Sequence, residues 1–297
     1  MLRISLITVS YAVLVGLAPP AAGQQRVERR LTVGERTPIR VHNLTGSTTV
    51  RGWAHDSVVL TGTLPAGATL YFGGSAGGVK GGVELADPAD TMPAHLELRV
   101  PRGARVWIKS ASGDITVEGV SGGLDVYTVS GRVSVRGAAA ELTAESMDGA
   151  VTVEAGRWAR VKTASGAIAV TGGEDVGVAT VTGAVTYAAD AFRRARLESV
   201  SGDLTFRGAV PRGSRLELES HGGQVTVEVP AALSAEIAIT TFQGEVHNAF
   251  GSQSLRPLPD QRGRALEFTA GTGGADLIVR TFKGDVRLLR ASAKTTR

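Results

Sequence analysis

The side chains best suited to chemistry are five histidines, a row of carboxylates and one glycine-rich segment. The histidines show no metal-ligand spacing such as H-E-x-x-H, and they stand at His42, His55, His95, His221 and His247. His221 takes a position of a repeat that is otherwise apolar, and we interpret it as part of a loosened His-Gly-Gly turn. The histidines therefore predict no metal site.

Paired carboxylates would indicate glycoside chemistry, because polysaccharide hydrolases use two of them across the scissile bond. In one column of the repeat, Glu245 and Asp285 could stack as acids, although a long insertion separates them in sequence. Repeat units of 17 to 21 residues leave little room for the loops that build an enzyme cleft. We predict no catalytic residues, and a polysaccharide lyase or hydrolase remains the alternative. Turnover lost on mutating Asp203 or Glu245 would support that alternative.

The glycine-rich segment Gly271-Thr-Gly-Gly-Ala-Asp-Leu-Ile-Val279 is weakly similar to the calcium-binding nonapeptide G-G-x-G-x-D-x-U-x. That motif binds calcium by repetition, since turns of neighbouring coils supply the oxygen ligands. One imperfect copy does not provide them. We interpret the segment as a turn before a strand, and we predict neither a metal nor a cofactor.

A regular repeat of glycine and hydroxyl residues organises most of the chain. Its glycines stand 17 to 21 residues apart, with one gap of 40, at Gly113, Gly131, Gly149, Gly166, Gly183, Gly202, Gly223, Gly244 and Gly284. Three residues earlier a hydroxyl occurs every time, at Ser110, Thr128, Ser146, Thr163, Thr180, Ser199, Ser220, Thr241 and Thr281. Aliphatic residues, or once alanine, stand five before and two after each glycine. A single glycine could be a ligand loop, whereas nine copies indicate architecture.

Each repeat has the pattern strand, turn, strand, turn. Apolar and polar residues alternate with period two, as in Leu124 to Thr128 and Val133 to Val135, so one face of each strand is buried. A two-stranded unit cannot bury that face alone and must stack on its neighbours. We predict an all-β, right-handed parallel β-helix or solenoid, because identical residues then form ladders. The alternative is an antiparallel β-sandwich or meander, which would favour Asn-Gly or Asp-Gly hairpin tips.

Three residues after the glycines a row of small, mostly hydroxyl side chains is predicted to face outward. It consists of Thr116, Ser134, Thr152, Ala169, Thr186, Thr205 and Thr226. Such a row could bind a repeating ligand, such as glycan or ice, but threonine is also favoured in half-exposed strands. Flanking charges, such as Glu118 and Arg136, favour the structural interpretation.

The sequence divides into a leader, a β-rich segment, the repeats and a tail. Residues 1–23 have the basic start, apolar run and small-residue exit of a secretory signal peptide. Residues 24–109 are predicted to be an N-terminal segment or cap continuous with the solenoid. The repeats fill 110–290, with an inserted loop at about 248–264, and 291–297 is predicted to be a flexible tail. No segment of the mature chain is long and apolar enough to span a membrane as a helix.

Charge and cysteine content narrow the possible partners. The formal charge is +4, and the absence of cysteine excludes disulfides and thiolate chemistry. The basic residues are scattered, with small groups at 193–196 (Arg193, Arg194, Arg196) and 256–264 (Arg256, Arg262, Arg264). These groups are either a site for acidic polysaccharide or lipid headgroups, or a solvated face. An exported chain without an aromatic-basic motif is a poor candidate for nucleic acid.

Several motifs resemble the bacterial β-strand-repeat "putative adhesin" family, a family of unknown function. They are Ser-Gly-Asp-Ile-Thr-Val at 112–117, Ser-Gly-Asp-Leu-Thr-Phe at 201–206, the Gly46–Trp53 segment, the Val-Pro-Arg-Gly lead-ins at 100 and 210, and Phe-Lys-Gly-Asp-Val at 282–286. The resemblance covers roughly residues 30 to 290. It implies an exported parallel β-solenoid with a role in adhesion or envelope scaffolding, and it brings no catalytic residues.

Three functions agree with these observations. The first is a non-enzymatic exported β-solenoid, an adhesin or cell-envelope scaffold whose partner is an envelope or surface component, glycan or protein. The second is a carbohydrate-binding or carbohydrate-active β-helix protein. The third is a structural solenoid that associates with itself end to end. The expected location is the periplasm, the cell surface or the medium.

Overall fold

The computed structural model describes residues 24–75, 77–85, 92–253, 255–258 and 263–291. The predicted signal peptide and the tail after residue 291 lie outside the described residues. The strands are β1 (Gln25–Thr32), β2 (Pro38–His42), β3 (Gly46–Trp53), β4 (Ser57–Leu64), β5 (Thr69–Ser75), β6 (Gly78–Glu84), β7 (Ala94–Pro101), β8 (Arg105–Lys109), β9 (Asp114–Glu118), β10 (Gly123–Thr128), β11 (Val133–Ser146), β12 (Val151–Thr163), β13 (Ile168–Gly172), β14 (Asp175–Thr180), β15 (Val185–Ala188), β16 (Arg194–Ser199), β17 (Leu204–Arg207), β18 (Arg215–Ser220), β19 (Val225–Val229), β20 (Ala235–Thr241), β21 (Val246–Asn248), β22 (Arg256–Pro257), β23 (Arg264–Ala270), β24 (Asp276–Thr281) and β25 (Val286–Arg290).

The strands form two ladders, which we call sheet 1 and sheet 2, and each coil contributes one strand to each. Sheet 1 runs β5-β6-β2-β8-β10-β11-β12-β14-β16-β18-β24-β20-β23-β22. Sheet 2 runs β1-β4-β7-β3-β9-β11-β12-β13-β15-β17-β19-β25-β21. The long strands β11 and β12 pass through both sheets. Pairing between coils is parallel throughout, so the predicted all-β solenoid is confirmed and the antiparallel alternative is wrong for the repeats.

The core lies between the two sheets and is filled by like residues stacked on like. Val133 pairs with Ile115 on one side and with Val151 on the other, and all three are at most 1% exposed. This in-register stacking explains why the period-two pattern repeats at fixed columns, since a slip of one residue would turn every aliphatic side chain outward. Near the middle, Tyr187 and Phe206 replace the aliphatic residues and contact each other at a ring-centroid distance of 5.6 Å.

The coils at the C-terminal end do not stack in chain order. The last coil, β24 and β25, pairs with β18 and β19 on one side and with β20 and β21 on the other. The end of the chain is therefore inserted between two coils that precede it in sequence. Sequence spacing alone implied that Gly223, Gly244 and Gly284 would follow each other in the stack.

The N-terminal end shows the same exchange. The first coil, β2 and β3, lies between β6 and β7 on its outer side and β8 and β9 on its inner side. Each terminal coil is thus covered on both sides. Because a strand with two neighbours cannot fray without breaking both ladders, this order protects β24 and β25 at the C-terminal end of the chain.

Antiparallel strands lie beyond the outer coils. At the N-terminal end β5 covers β6, and β4 and β1 continue sheet 2 beyond β7. At the C-terminal end β23 pairs with β20 along its whole length, and β22 adds two residues. The insertion predicted as a loop at about 248–264 therefore includes β22 and leads into a capping strand. These caps interrupt the parallel register at the ends of the stack.

Candidate functional site

The nine repeat glycines are buried and stacked at one corner of the solenoid, between the sheet 1 strand and the sheet 2 strand of each coil. A Cβ added to any of the last eight would come closer than 3.0 Å to the carbonyl oxygen of the neighbouring glycine in the stack. None of the nine has a positive φ. These glycines are thus required by the close approach of one backbone to the next and not by a left-handed turn.

The nine hydroxyls lie inside the same corner, and each is at most 8% exposed. In seven coils the glycine N–H donates a hydrogen bond to the hydroxyl three residues earlier, as Gly113 does to Ser110 Oγ at 2.8 Å. Thr163 instead donates to Gly166 O, and Ser199 Oγ has no hydrogen-bond partner among the described residues. In the first coil Asn43 takes the place of the hydroxyl, and its Nδ2 donates to Ala94 O at 2.9 Å.

Ser220 and Ser199 offer a matched pair of substitutions at this corner. We expect Ser220→Ala to lower the free energy of unfolding by about 1–3 kcal/mol, because it leaves the buried Gly223 N–H without its acceptor at 2.9 Å. Ser199→Ala removes a hydroxyl without a partner among the described residues and should change stability by less than about 0.5 kcal/mol. Urea denaturation of both variants measures the difference. Equal losses would show that the hydrogen bond is not what the hydroxyl contributes.

Two of the carboxylates considered for catalysis, those of Asp285 and Asp203, accept hydrogen bonds from backbone N–H groups. Glu245 and Asp285 do lie on neighbouring coils, and the Glu245 N–H donates to Asp285 Oδ1 at 2.9 Å. Asp203 accepts the Gln224 N–H in the same way at 2.9 Å. In the described part of the chain, no three His, Cys, Asp or Glu side chains are grouped to hold a metal ion. The Gly271–Val279 segment forms a turn that leads into β24.

The structure also shows where the outward hydroxyl row and the arginine groups lie. The row from Thr116 to Thr226 lies in register along the outer face of sheet 2. Arg193 pairs with Asp175 at 2.8 Å, and Arg196 contacts Glu198, Glu217 and Glu219. Arg264 donates to Gly244 O at 2.8 Å, and Arg262 lies outside the described residues. These local groups are largely occupied by neighbours within the chain.

A concave site lies at the N-terminal end, on the outer face of sheet 1, and we call it the basic cleft. It has a volume of about 640 Å³ and is lined by Pro38, Ile39, Arg40, His42, Tyr71, Lys80, Arg105, Trp107 and Asp125. Strands β6, β2, β8 and β10 supply its floor, and Tyr71 on β5 supplies part of its wall. Because outward residues of stacked coils share a column, Lys80, Arg40 and Trp107 follow each other directly across three strands.

Aromatic rings form a half-buried platform in this cleft. The Trp107 ring lies 4.9 Å from the His42 ring and 6.0 Å from the Tyr127 ring, with tilts of 59° and 48°. Trp107, Tyr127 and Tyr71 are each partly exposed, so their faces are accessible to a ligand. A planar apolar platform beside polar groups is a common feature of sites that bind rings.

Positive charge surrounds the platform. Arg40, Lys80 and Lys109 form no ion pair with any residue that the structure describes, whereas Arg105 pairs with Asp125 at 3.2 Å. Partial burial lowers the pKa of His42, and the charges of Lys109, Arg40 and Lys80 lower it further. Burial raises the pKa of Tyr71 and of Tyr127, and neighbouring carboxylates add to both shifts. The cleft therefore combines unpaired cations with a neutral aromatic surface.

The sequence did not single out the residues of the basic cleft. Arg40, Lys80 and Arg105 are separated by 25 to 40 residues in sequence, so they form no local cluster. They meet because the first coil is inserted between two later ones. The available signal was the column of outward residues, because outward positions of stacked coils lie side by side. Three of the first four residues of this column are basic or aromatic.

Comparison with known proteins places the architecture. The family model of the Toastrack family, DUF4097, matches residues 94–289. No curated protein matches the chain. Within the described residues, no helix has the length and apolar character needed to cross a membrane.

Solved structures of bacterial proteins are similar to this chain at low sequence identity. A putative lipid binding protein from Parabacteroides distasonis is 11% identical, with a TM-score of 0.50, and the match covers 89% of this chain and 96% of that chain. A putative adhesin from Bacteroides fragilis is 11% identical, with a TM-score of 0.43, over 91% and 99% of the two chains. A putative adhesin from Parabacteroides merdae is 8% identical, with a TM-score of 0.41, over 90% and 97%.

Proposed function

The chain belongs to the Toastrack family, DUF4097, and from that premise we propose that it is a non-enzymatic binding module of the cell envelope or cell surface. We propose further that its ligand is an anionic saccharide held in the basic cleft. The observation that carries this proposal is the position of two unpaired cations, Arg40 and Lys80, in the same column as the Trp107 ring.

The chemistry of the basic cleft favours a sugar acid over a simple anion. Guanidinium and ammonium groups recognise carboxylate or sulfate through charge-assisted hydrogen bonds. The Trp107 ring supplies a flat apolar face on which the C–H face of a sugar ring can pack. A headgroup phosphate would use the cations and leave the platform unused. The open shape of the cleft agrees with an internal segment of a polymer as ligand.

The two other functions have less support. In the catalytic alternative, Asp203 and Asp285 would need free carboxylates, and one oxygen of each accepts a backbone N–H. End-to-end growth would need a bare parallel edge, and antiparallel strands β5, β1 and β23 cover three of the four sheet ends. The parallel edge at the fourth end is the three-residue strand β21. We therefore propose neither hydrolysis nor end-to-end polymerisation.

Binding of a uronic acid oligomer tests the proposal. We expect a galacturonate hexamer to bind, its methyl-esterified form to bind at least about tenfold more weakly, and added salt to weaken the first. Arg40→Gln should also weaken binding about tenfold. Arg160→Gln is the matched control, since Arg160 faces outward on β12, farther along sheet 1, beyond the cleft. Titration calorimetry gives the affinities. Equal binding of the two hexamers, or an equal effect of the two arginine variants, would contradict the proposal.

A further inference from the structure

A second feature of the same corner is exposed to solvent. The residue two before each corner glycine points out of the solenoid, and together these residues form a line that we call the apolar ridge. In stacking order it contains Leu44, Ala111, Val129, Met147, Ala164, Val181, Val200, His221, Phe282 and Phe242, and Met92, which stands two before the Gly46 partner Ala94, extends the line by one coil. Backbone hydrogen bonds join consecutive members, as in Val129 N–H to Ala111 O at 3.0 Å and Met147 N–H to Val129 O at 3.1 Å.

The apolar ridge holds nearly all the exposed large hydrophobic side chains that the structure describes. Nine such side chains are between 36% and 55% exposed, and eight of them belong to the ridge, the exception being Trp158. At one end, the rings of His221, Phe282 and Phe242 stack at 4.8 and 4.7 Å with tilts of 7° and 9°. Scattered exposed apolar residues need no explanation, whereas a continuous line of them marks an interaction surface.

We propose that the apolar ridge is a dimer interface, on which a second copy of this chain packs side by side and antiparallel. Eleven coils at about 4.8 Å make a line about 48 Å long. A surface with the same spacing over such a length is a second β-solenoid. A contact of this length needs to be only about 20 Å wide to reach the roughly 800 Å² per partner of a standard interface.

The charges beside the ridge agree with an antiparallel register in which opposite charges face each other. The column just before the hydroxyls reads, in stacking order, His42, Lys109, Tyr127, Glu145, Lys162, Ala179, Glu198, Glu219, Arg280 and Thr240. In a dimer whose two-fold axis is perpendicular to the solenoid axis, this column faces the same column of the second copy, which runs in the opposite direction. With the axis between the coils of Met147 and Ala164, Lys109 faces Glu198 of the second copy and Glu145 faces Lys162. These contacts would add to those within each chain, where Lys162 lies 3.9 Å from Glu145 and Arg196 pairs with Glu198. Moving the axis by half a coil or one coil either way brings like charges together.

The same register matches side chains by size. Met147 lies opposite Ala164, Val200 lies opposite Ala111, and Val129 lies opposite Val181. Both alanines of the apolar ridge thus face a larger residue. In a parallel dimer each residue would instead face its own copy, with Met147 against Met147 and alanine against alanine. Charge and size thus both agree with this antiparallel arrangement.

A lipid surface is the other occupant to be considered. Lipid binding by such a line would be supported by flanking basic residues, which anionic headgroups attract. Along the charged column Lys109, Lys162 and Arg280 are balanced by Glu145, Glu198 and Glu219. The residues on the other side of the ridge are mostly serine, threonine and glycine. The flanks therefore fit a copy of themselves better than a charged membrane.

Sedimentation equilibrium of the purified protein from about 1 μM to about 1 mM tests for the dimer. We expect a monomer–dimer equilibrium whose dissociation constant rises at least tenfold in Val181→Asp. The control Ala191→Asp places the same charge on an exposed residue of the following loop, away from the corner. A monomer at all concentrations, or a dimer indifferent to Val181→Asp, would overturn the proposal. So would a monomer that binds phosphatidylcholine vesicles through the ridge, because that result would assign the ridge to lipid.

Cysteine cross-linking tests the register, and the chain has no cysteine of its own. Under mild oxidation, Val129→Cys mixed with Val181→Cys should give a disulfide-linked dimer within minutes. Val129→Cys alone should not, because its two sulfurs would be three coils, or about 14 Å, apart. Each variant has a single cysteine, so no disulfide can form within one chain. Equal cross-linking of the single variant and the mixture would refute the register, even if the protein is dimeric.

Discussion

Replacing Gly131 by valine should abolish stable folding of the solenoid. The Cβ of any residue at this position would lie closer than 3.0 Å to the carbonyl oxygen and carbon of Gly113, both of them backbone atoms. Relief requires the two coils to separate, and separation breaks the ladders on both sides of the corner. The overlap involves no side chain that could rotate away. We therefore expect a loss of more than about 4 kcal/mol in the free energy of unfolding, seen as loss of the folded baseline in urea denaturation.

Gly177 provides the control for this substitution. It lies on the outer face of β14, its φ is not positive, and a Cβ added there meets nothing within 4 Å. Gly177→Val should leave stability unchanged or raise it slightly, since valine is favoured over glycine in a strand. If both variants unfold alike, the corner contact is not the reason for the glycine. If Gly131→Val keeps its melting temperature, the stacking of the corner is wrong.

The repeat was predictable because equivalent residues of all coils occupy the same structural position, so the same residue types recur at regular intervals in the sequence. The aliphatic residues five before and two after each glycine face the core. The alternation of apolar and polar residues decides which face of every strand is buried. The glycine column was visible for the same reason. Its physical cause was not, because a glycine in sequence looks the same whether it is needed for a left-handed turn or for a close approach of two backbones.

The order of the end coils was not predictable from spacing. The copy at Gly46 and the copy at Gly284 carry the same motif as their neighbours, so any of them could stack on any other. What selects the order is the fit of whole coils and caps, including the pairing of β23 with β20. Because the basic cleft is built by the inserted first coil, it was hidden for the same reason. The apolar ridge was visible in the sequence as a column. Its exposure was not predictable, because the sequence does not show which side of the corner faces solvent.

Removing residues 271–297 should release the coil that precedes them in sequence as well as the one they form. The deletion takes away β24 and β25, whose Leu277, Val279, Val286 and Leu288 are at most 1% exposed. Each buried aliphatic side chain contributes about 1.5–3 kcal/mol to the free energy of unfolding. The deletion therefore removes a contribution comparable to the whole stability of a typical domain. Strand β20 would keep β23 but lose its parallel partner β24, and β21 would lose β25.

Hydrogen exchange at the amides of β20 distinguishes this arrangement from a stack in chain order. In chain order, residues 271–297 would be the outermost coil, and their removal would leave β20 and β21 protected on β18 and β19. In the order found here, exchange in β20 should become at least about 1000-fold faster, which corresponds to about 4 kcal/mol of lost local stability. As a control, cutting the chain at a protease site inserted after the exposed Gly251 keeps every coil in place. The two fragments should then purify together with β20 still protected, because β24 remains held between β18 and β20 on both of its edges.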